Sequence, residues 1–307
     1  MISILFLGAS KRVTLIEQFR AAADSLDVEL TIFSAEKEER FYPISGVVDK
    51  VLSAPLFSDE LFQVWLDNVI SKYSIDIVIP NMDSATVALS KYRENGTSPA
   101  WLVVSSYGLC EKMNDKVLAN NYFIEKCIPT FDNTSYYPKI IKDKLGYGAK
   151  NQKIIYNKQE LDEYLDRIDD YIVQDYLPGD ETTVDLYFTR TGKLHGYVLR
   201  DRLEVSDGEV MECITREANE DEKRLIEKIS MLGQWEGCIT LQYIRYQDKY
   251  YVVEINPRFG GGATCSIASG LNMPKYILQE FLGTEVDKPK YRVVHMMRAR
   301  RDFYEYK

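Results

Sequence analysis

At 307 residues the chain is long enough for about two or three packed units, and 45% hydrophobic against 28% charged residues is the balance of a folded globular protein, not of a disordered or fibrous one. A formal charge of −9, from 38 basic and 47 acidic residues, sets the surface against phosphodiester backbones and argues against nucleic acid as a partner. The five cysteines are widely spaced with no Cys-x-x-Cys pair, and no run of about eighteen apolar residues occurs, so neither a zinc knuckle, a disulfide framework nor a membrane span is expected.

The N-terminus opens with an apolar run at residues 2–7 that ends in a glycine turn and lacks a basic leader, which predicts a cytoplasmic protein without a signal peptide. Residues 28–33, 47–52, 75–80 and 101–104 are further apolar runs, and 12–23, 61–71 and 85–92 carry helical periodicity between them. Apolar strands interleaved with helices are the pattern of parallel strands covered on both faces. Residues 1–111 are therefore expected to form a doubly wound α/β domain. Ligands of such sheets gather at the carboxyl ends of the strands, here Gly8-Ala9-Ser10-Lys11 and Pro80-Asn81-Met82-Asp83. A helix at 115–126 is stopped by Ile128-Pro129-Thr130. Strands at 139–142, 153–156 and 171–175, a glycine loop at 145–151 and a helix at 158–167 complete a small unit, 112–175. From residue 176 to 307 strands dominate, at 181–189, 194–200, 237–245 and 250–256, with a helix at 221–232. Arg190-Thr191-Gly192-Lys193 and Gln247-Asp248-Lys249 are expected to be hairpin connections. The whole is an α/β domain followed by an α+β body.

The densest chemistry lies in Val253-Glu254-Ile255-Asn256-Pro257-Arg258-Phe259-Gly260-Gly261-Gly262. Side chains on a strand alternate between faces, so Glu254, Asn256 and Arg258 are expected on one side, with Val253 and Ile255 on the other. A carboxylate and an amide oxygen suit Mg²⁺ or Mn²⁺, cations that take a few protein oxygens and complete their shell with phosphate. An arginine beside them can fork a phosphoryl group. Gln242, twelve residues upstream across the second hairpin, shares the parity of Glu254 and is expected to add a third polar contact.

Glu254-x-Asn256-x-Arg258 followed by glycines, with Gln242 upstream, resembles the metal and phosphate signature of ATP-grasp ligases, in particular the carbamoyl-phosphate-synthase-like branch. The resemblance extends over about residues 112–282. It implies a pre-ATP-grasp domain before an ATP-grasp fold, with ATP and Mg²⁺ as cofactors. Asn114-Asp115-Lys116 is similar to the entry of that family's ATP-binding region, and Tyr137 to Lys142 resembles the strand whose last basic residue meets nucleotide phosphate. Gly146-Tyr147-Gly148-Ala149-Lys150 resembles the glycine-rich loop that folds over the phosphates. Tyr171-Ile172-Val173-Gln174-Asp175-Tyr176-Leu177 resembles the hinge strand that meets adenine through backbone groups, which implies nucleotide contacts from Gln174, Asp175, Tyr176 and Leu177, and Glu181 matches the acid that holds ribose. Metal contacts are thereby expected from Gln242, Glu254 and Asn256, and catalytic roles for Arg258 and Lys150. Position 143 is aspartate where members of the family commonly carry proline.

The activity implied is activation of a small-molecule carboxylate as an acyl phosphate, which an amine or thiol then attacks. Carboxyphosphate chemistry of the carbamoyl phosphate synthase kind and a non-catalytic nucleotide-binding regulator are the alternatives. The glycine patterns of dinucleotide-binding and P-loop proteins are absent from the sequence. His195 and His295, isolated in apolar surroundings, are expected to be structural or at the surface. Arg200, Arg202 and Glu204 form a polar cluster expected after a strand, in a region that faces substrate in the family. The four arginines of 292–301 suit packing against acids of another element or of a second subunit, which is compatible with a homodimer.

Overall fold

A computed structural model describes residues 1–146, 152–165, 169–206 and 208–306. The first 111 residues contain a parallel sheet of five strands: β1 (Ile2–Leu7), β2 (Leu30–Glu36), β3 (Lys50–Ser53), β4 (Ile77–Pro80) and β5 (Trp101–Leu102), in the order β3-β2-β1-β4-β5. The apolar run of β1 is explained by burial on both sides. Ile2, Ile4 and Phe6 enter one core, and Leu5 and Leu7 enter another across the sheet. The helices α1 (Val13–Asp24), α2 (Leu61–Tyr73) and α3 (Asp83–Asn95) bury their apolar stripes against these faces. The strand order reverses between β1 and β4, so the loops following those two strands flank the crevice at which doubly wound sheets receive ligands.

Helix α4 (Tyr107–Asn114), not expected from the sequence, runs directly into α5 (Lys116–Glu125). Asp115 separates them by turning extended and accepting the N–H groups of Val117 and Leu118 at 2.9 and 3.1 Å, an N-cap that fixes where α5 begins. A three-stranded antiparallel sheet follows, β6 (Lys139–Asp143), β7 (Lys153–Ile155) and β8 (Tyr171–Asp175) in the order β7-β6-β8, with α6 (Lys158–Leu165) between β7 and β8.

The last sheet is antiparallel throughout and has six strands: β9 (Asp180–Phe188), β10 (Leu194–Ser206), β11 (Glu209–Arg216), β12 (Gly237–Tyr246), β13 (Lys249–Asn256) and β14 (His295–Met297), in the order β13-β12-β9-β10-β11-β14. Both expected hairpins are present, β9 to β10 and β12 to β13. The strand expected to end at residue 200 continues to Ser206, so Arg200, Arg202 and Glu204 lie on β10 and not beyond it. Charge pairing permits this: Arg200 meets Asp185 on β9 at 2.8 Å, Arg202 meets Glu181, and Arg216 on β11 meets Asp201 at 2.8 Å. Helix α7 (Glu220–Ser230) covers one face of this sheet, opened by an Asn219–Glu222 capping box. Helices α8 (Ala263–Ala268) and α9 (Met273–Leu282) cover the other and pack against α1 in the core that α1 shares with the parallel sheet. Phe19 of α1 sits edge-on between Phe6 and Phe259, with ring centroids 5.0 and 5.9 Å away, and so anchors the turn after β13 to the N-terminal sheet.

Asp185 is a stress point of this body. It is 1% exposed and accepts from Arg200 Nε at 2.8 Å, Ser266 Oγ at 2.6 Å and Thr240 Oγ1 at 3.2 Å. Asp185→Ala removes the carboxylate that, among the described residues, is the one paired with a guanidinium itself 1% exposed, and breaking a buried pair from one side costs about 3–5 kcal/mol. Chemical denaturation should show a loss of that order, whereas an exposed pair such as Arg224–Asp221 should change by less than about 1 kcal/mol when Asp221 is replaced.

Candidate active site

A polar cleft of about 420 Å³ opens where α5, the three-stranded sheet and β12–β13 meet. Six of the residues expected from the sequence line it: Lys116, Lys142, Gln174, Glu181, Gln242 and Glu254. Lys116 is placed by the N-cap of α5 and by a strap to the end of β6: its N–H donates to Lys144 O at 3.1 Å and its Nζ to Gly146 O at 2.9 Å. Lys142, on β6, lies over the ring of Phe131, 5.3 Å from the centroid. Burial lowers its pKa and the neighbouring Lys116 lowers it further, while Glu254 and Glu181 pull it back up.

Gln174 is buried, and its Nε2 donates to Asn120 Oδ1 at 3.0 Å; the same oxygen accepts Thr130 Oγ1 at 2.9 Å. The hinge residues are more committed than the sequence shows. The Asp175 N–H donates to Asp132 O at 2.7 Å, and its carboxylate accepts from Lys139 at 2.5 Å and from the Thr134 N–H and hydroxyl, both at 3.1 Å. The Tyr176 N–H donates to Pro138 O at 3.0 Å. Backbone contact from these two residues to a ligand is thus left to their carbonyl oxygens. Leu177 follows in the connection to β9, partly buried. Lys150, with the loop residues 147–151, lies outside the described residues.

On the opposite wall Gln242 stands directly across from Glu254 in the β12–β13 ladder, and the register slips only after that pair. Gln242 Nε2 and Arg202 Nη1 both donate to Glu181, and Asn256 Nδ2 donates to Glu254 Oε1 at 2.9 Å. The second carboxylate oxygen of Glu254 and the amide oxygens of Gln242 and Asn256 are the oxygens these side chains offer, although Asn256 is not among the cleft-lining residues. Among the described residues no group of three or more His, Cys, Asp or Glu side chains gathers to hold a metal. One carboxylate with amide oxygens fits Mg²⁺ or Mn²⁺ that shares its coordination with phosphate, and fits poorly a metal caged by protein alone.

Arg258 differs from expectation in place. The strand ends at Asn256 because Pro257 has no N–H for the ladder, and the Arg258 N–H folds back to Asn256 O at 2.8 Å. Strand alternation does not reach Arg258, and it is not among the cleft-lining side chains. Its guanidinium forks onto Asp83, Nε to Oδ1 at 2.7 Å and Nη2 to Oδ2 at 2.9 Å. Burial works against its charge, but the Asp83 carboxylate raises its pKa on balance. Asn120 and Arg202 also line the cleft. Asn120 was readable as the residue one helical turn beyond Lys116 on the same face. His195, on Asp287 O at 2.8 Å, and His295, on Glu212 at 2.7 Å, lie outside the cleft. Among the described residues no helix is long and apolar enough to cross a membrane.

A parallel sheet at a crevice, a three-stranded sheet and a six-stranded antiparallel sheet, with lysines and acids between the last two, make up an ATP-grasp fold. Residues 167–301 match the family described as ATP-grasp in the biosynthetic pathway with Ter operon. The carbamoyl phosphate synthase large chain of Agathobacter rectalis is 26% identical over 135 residues, a match covering 40% of this chain and only 13% of that relative. The N5-carboxyaminoimidazole synthetase of Staphylococcus aureus complexed with ADP superposes with a TM-score of 0.74 at 16% identity, covering 94% of this chain and 79% of the other. The biotin carboxylase domain dimer of Hydrogenobacter thermophilus 2-oxoglutarate carboxylase, in complex with MgADP, ADP and bicarbonate, superposes at 0.73 with 14% identity, covering 94% and 70%.

Proposed function

We propose that the chain is a magnesium- or manganese-dependent ligase that uses ATP to join a small-molecule carboxylate to an amine or a thiol, built from units at 1–111, 112–175 and 176–307. The observation that carries this reading is the convergence of Lys116, Lys142, Glu181, Gln242 and Glu254 on one cleft from elements far apart in the sequence. ATP brings about four negative charges into an acidic protein, so its site needs local cations. Lys116 and Lys142 would meet the phosphates, joined by Lys150. Glu181 would hold the ribose hydroxyls, and Gln174 with the backbone of Asp175, Tyr176 and Leu177 would border the adenine. Glu254, Asn256 and Gln242 would hold the divalent cation. The cation supplies charge neutralisation at the phosphates.

Phosphoryl transfer is mainly positioning and electrostatic stabilisation, so no protein nucleophile is required. The substrate carboxylate forms the new O–P bond, the bond between the γ-phosphorus and the bridging oxygen breaks, and ADP leaves. The amine or thiol then adds to the acyl carbon, phosphate departs, and the acceptor loses its proton. Arg258 is assigned to the charge of the phosphoryl group in flight. The resemblance to a carbamoyl phosphate synthase supports a second reading, carboxyphosphate formation from bicarbonate, in which bicarbonate alone would stimulate ADP release.

The products discriminate. Incubation with MgATP and a panel of carboxylic acids, amino acids included, should release ADP and phosphate, and hydroxylamine should capture the activated acid as a hydroxamate. AMP and pyrophosphate as products would exclude the acyl phosphate in favour of adenylation. Binding of MgATP without turnover on any acid or on bicarbonate would favour a regulatory nucleotide-binding protein.

A further inference from the structure

Four guanidiniums converge on the glycine turn after β13. Arg12 Nη1 donates to Gly260 O at 3.2 Å, Arg298 Nη2 to Gly261 O at 2.5 Å, and Arg258 Nη1 to Phe259 O at 3.2 Å. Arg200 lies so close behind Gly262 that a Cβ there would overlap its guanidinium. Their counter-charges are unevenly shared. Asp185 serves Arg200 and Asp83 serves Arg258 in both oxygens. Arg298 has Glu209 at 3.6 Å, on a side chain that is 58% exposed. Among the described residues Arg12 has no ion pair, and the buried Arg200 Nη1 has no hydrogen-bond partner. Burial first, then Arg258 and Arg298, push the pKa of Arg12 down to about 10, and Glu209 and Asp83 only partly oppose them.

The backbone adds to this imbalance. Arg12 is the N-cap of α1, a helix with no side-chain cap and no acid in its first turn, so the positive end of its dipole lies at the residue that carries one of these guanidiniums and is not offset by a local acid. The place is the loop after β1, beside the reversal of strand order. Gly261 is exposed and Arg12 and Arg298 are partly exposed, so a ligand can reach them.

We propose that Arg12 and Arg298, over the turn at Gly260 and Gly261, hold an anionic group, a carboxylate or a phosphate, carried by the acid or the acceptor that the ligase joins. This deepens the ligase reading and rests on it: the substrate bears a negative charge additional to the carboxylate that is activated. Monoanionic acids without such a group are then poor substrates, because the guanidiniums would stay uncompensated.

Calorimetric titration of the full chain, without nucleotide and with Mg²⁺ and a non-hydrolysable ATP analogue, tests this with three probes: inorganic phosphate, glutarate and butyrate. Phosphate or glutarate should bind about tenfold or more tighter than butyrate, the value of one charge-assisted hydrogen bond, and the tighter of the two identifies the group. Arg12→Met and Arg298→Met should each abolish that preference, and Arg12→Lys should keep most of it. Absence of any preference in the unaltered chain overturns the proposal, as does a preference that survives in both methionine variants. The nucleotide titration is scored separately: a chain that binds phosphate or glutarate but no nucleotide defeats the ligase reading, and one that binds nucleotide without dianion preference defeats only the anion site.

Discussion

Glu254→Gln should raise the Mg²⁺ concentration needed for half-maximal ADP release by at least about tenfold and lower turnover on the order of 10²–10³. The substitution keeps the shape and keeps an oxygen able to accept from Asn256 Nδ2, now 2.9 Å from the carboxylate, so the β12–β13 ladder and the fold should survive. What it removes is the carboxylate charge of the proposed metal set, leaving amide oxygens that are weaker ligands for a hard dication. A second consequence follows from Lys142, whose pKa burial lowers and Glu254 helps to raise. Without that charge the Lys142 pKa falls further, so the ammonium is lost at a lower pH than in the unaltered chain. Nucleotide affinity of the variant should therefore decline earlier as pH rises. Mg²⁺ titrations of ADP release at neutral and alkaline pH, with the thermal midpoint as the control for folding, read both effects. An unchanged Mg²⁺ dependence in a folded variant would remove Glu254 from the metal site.

The parts legible in the sequence were those whose cause is local. β1 is a strand because all its residues but Ser3 are apolar and both faces are covered, and the Gln242–Glu254 pairing follows from parity across a short hairpin. β10 was cut short because Arg200, Asp201, Arg202 and Glu204 read as solvated charges. The partners of Arg200, Arg202 and Asp201, which are Asp185, Glu181 and Arg216, are supplied by the neighbouring strands and appear only once the sheet is assembled, while Glu204 is exposed. Helix α8 has six residues and buries both small and polar side chains, so it carries no stripe to recognise. The commitment of the Asp175 and Tyr176 N–H groups to Asp132 and Pro138 is invisible for the same reason: it is backbone geometry between non-adjacent segments. The Asp83–Arg258 fork joins residues 175 apart, and although the loop holding Asp83 could be named as a ligand-facing strand end, its partner could not.

That fork changes what Arg258→Met is expected to do. If Arg258 only reached the phosphoryl group, the substitution would cost turnover and little stability. Because Arg258 also holds Asp83 in two hydrogen bonds, with side chains 13% and 22% exposed, methionine leaves a partly buried carboxylate without its cation. A loss of about 1–3 kcal/mol is expected from such an orphaned group, a fall in thermal midpoint of several degrees for a chain of this size. The proposed catalytic role adds a separate loss on the order of 10²–10³ in kcat with little change in nucleotide Kd. Asp83→Asn retains an oxygen for Arg258 while removing the charge, so it should lower the midpoint less and cost turnover less. In the double variant the orphaned charge is gone, and most of the midpoint should return while kcat stays at the level of Arg258→Met. Thermal midpoint and kcat on the two single variants and the double variant thus separate the roles. Equal losses of turnover in both single variants, recovered together in the double, would make Arg258 a clasp between the N-terminal sheet and the turn after β13 and take it out of the phosphoryl site.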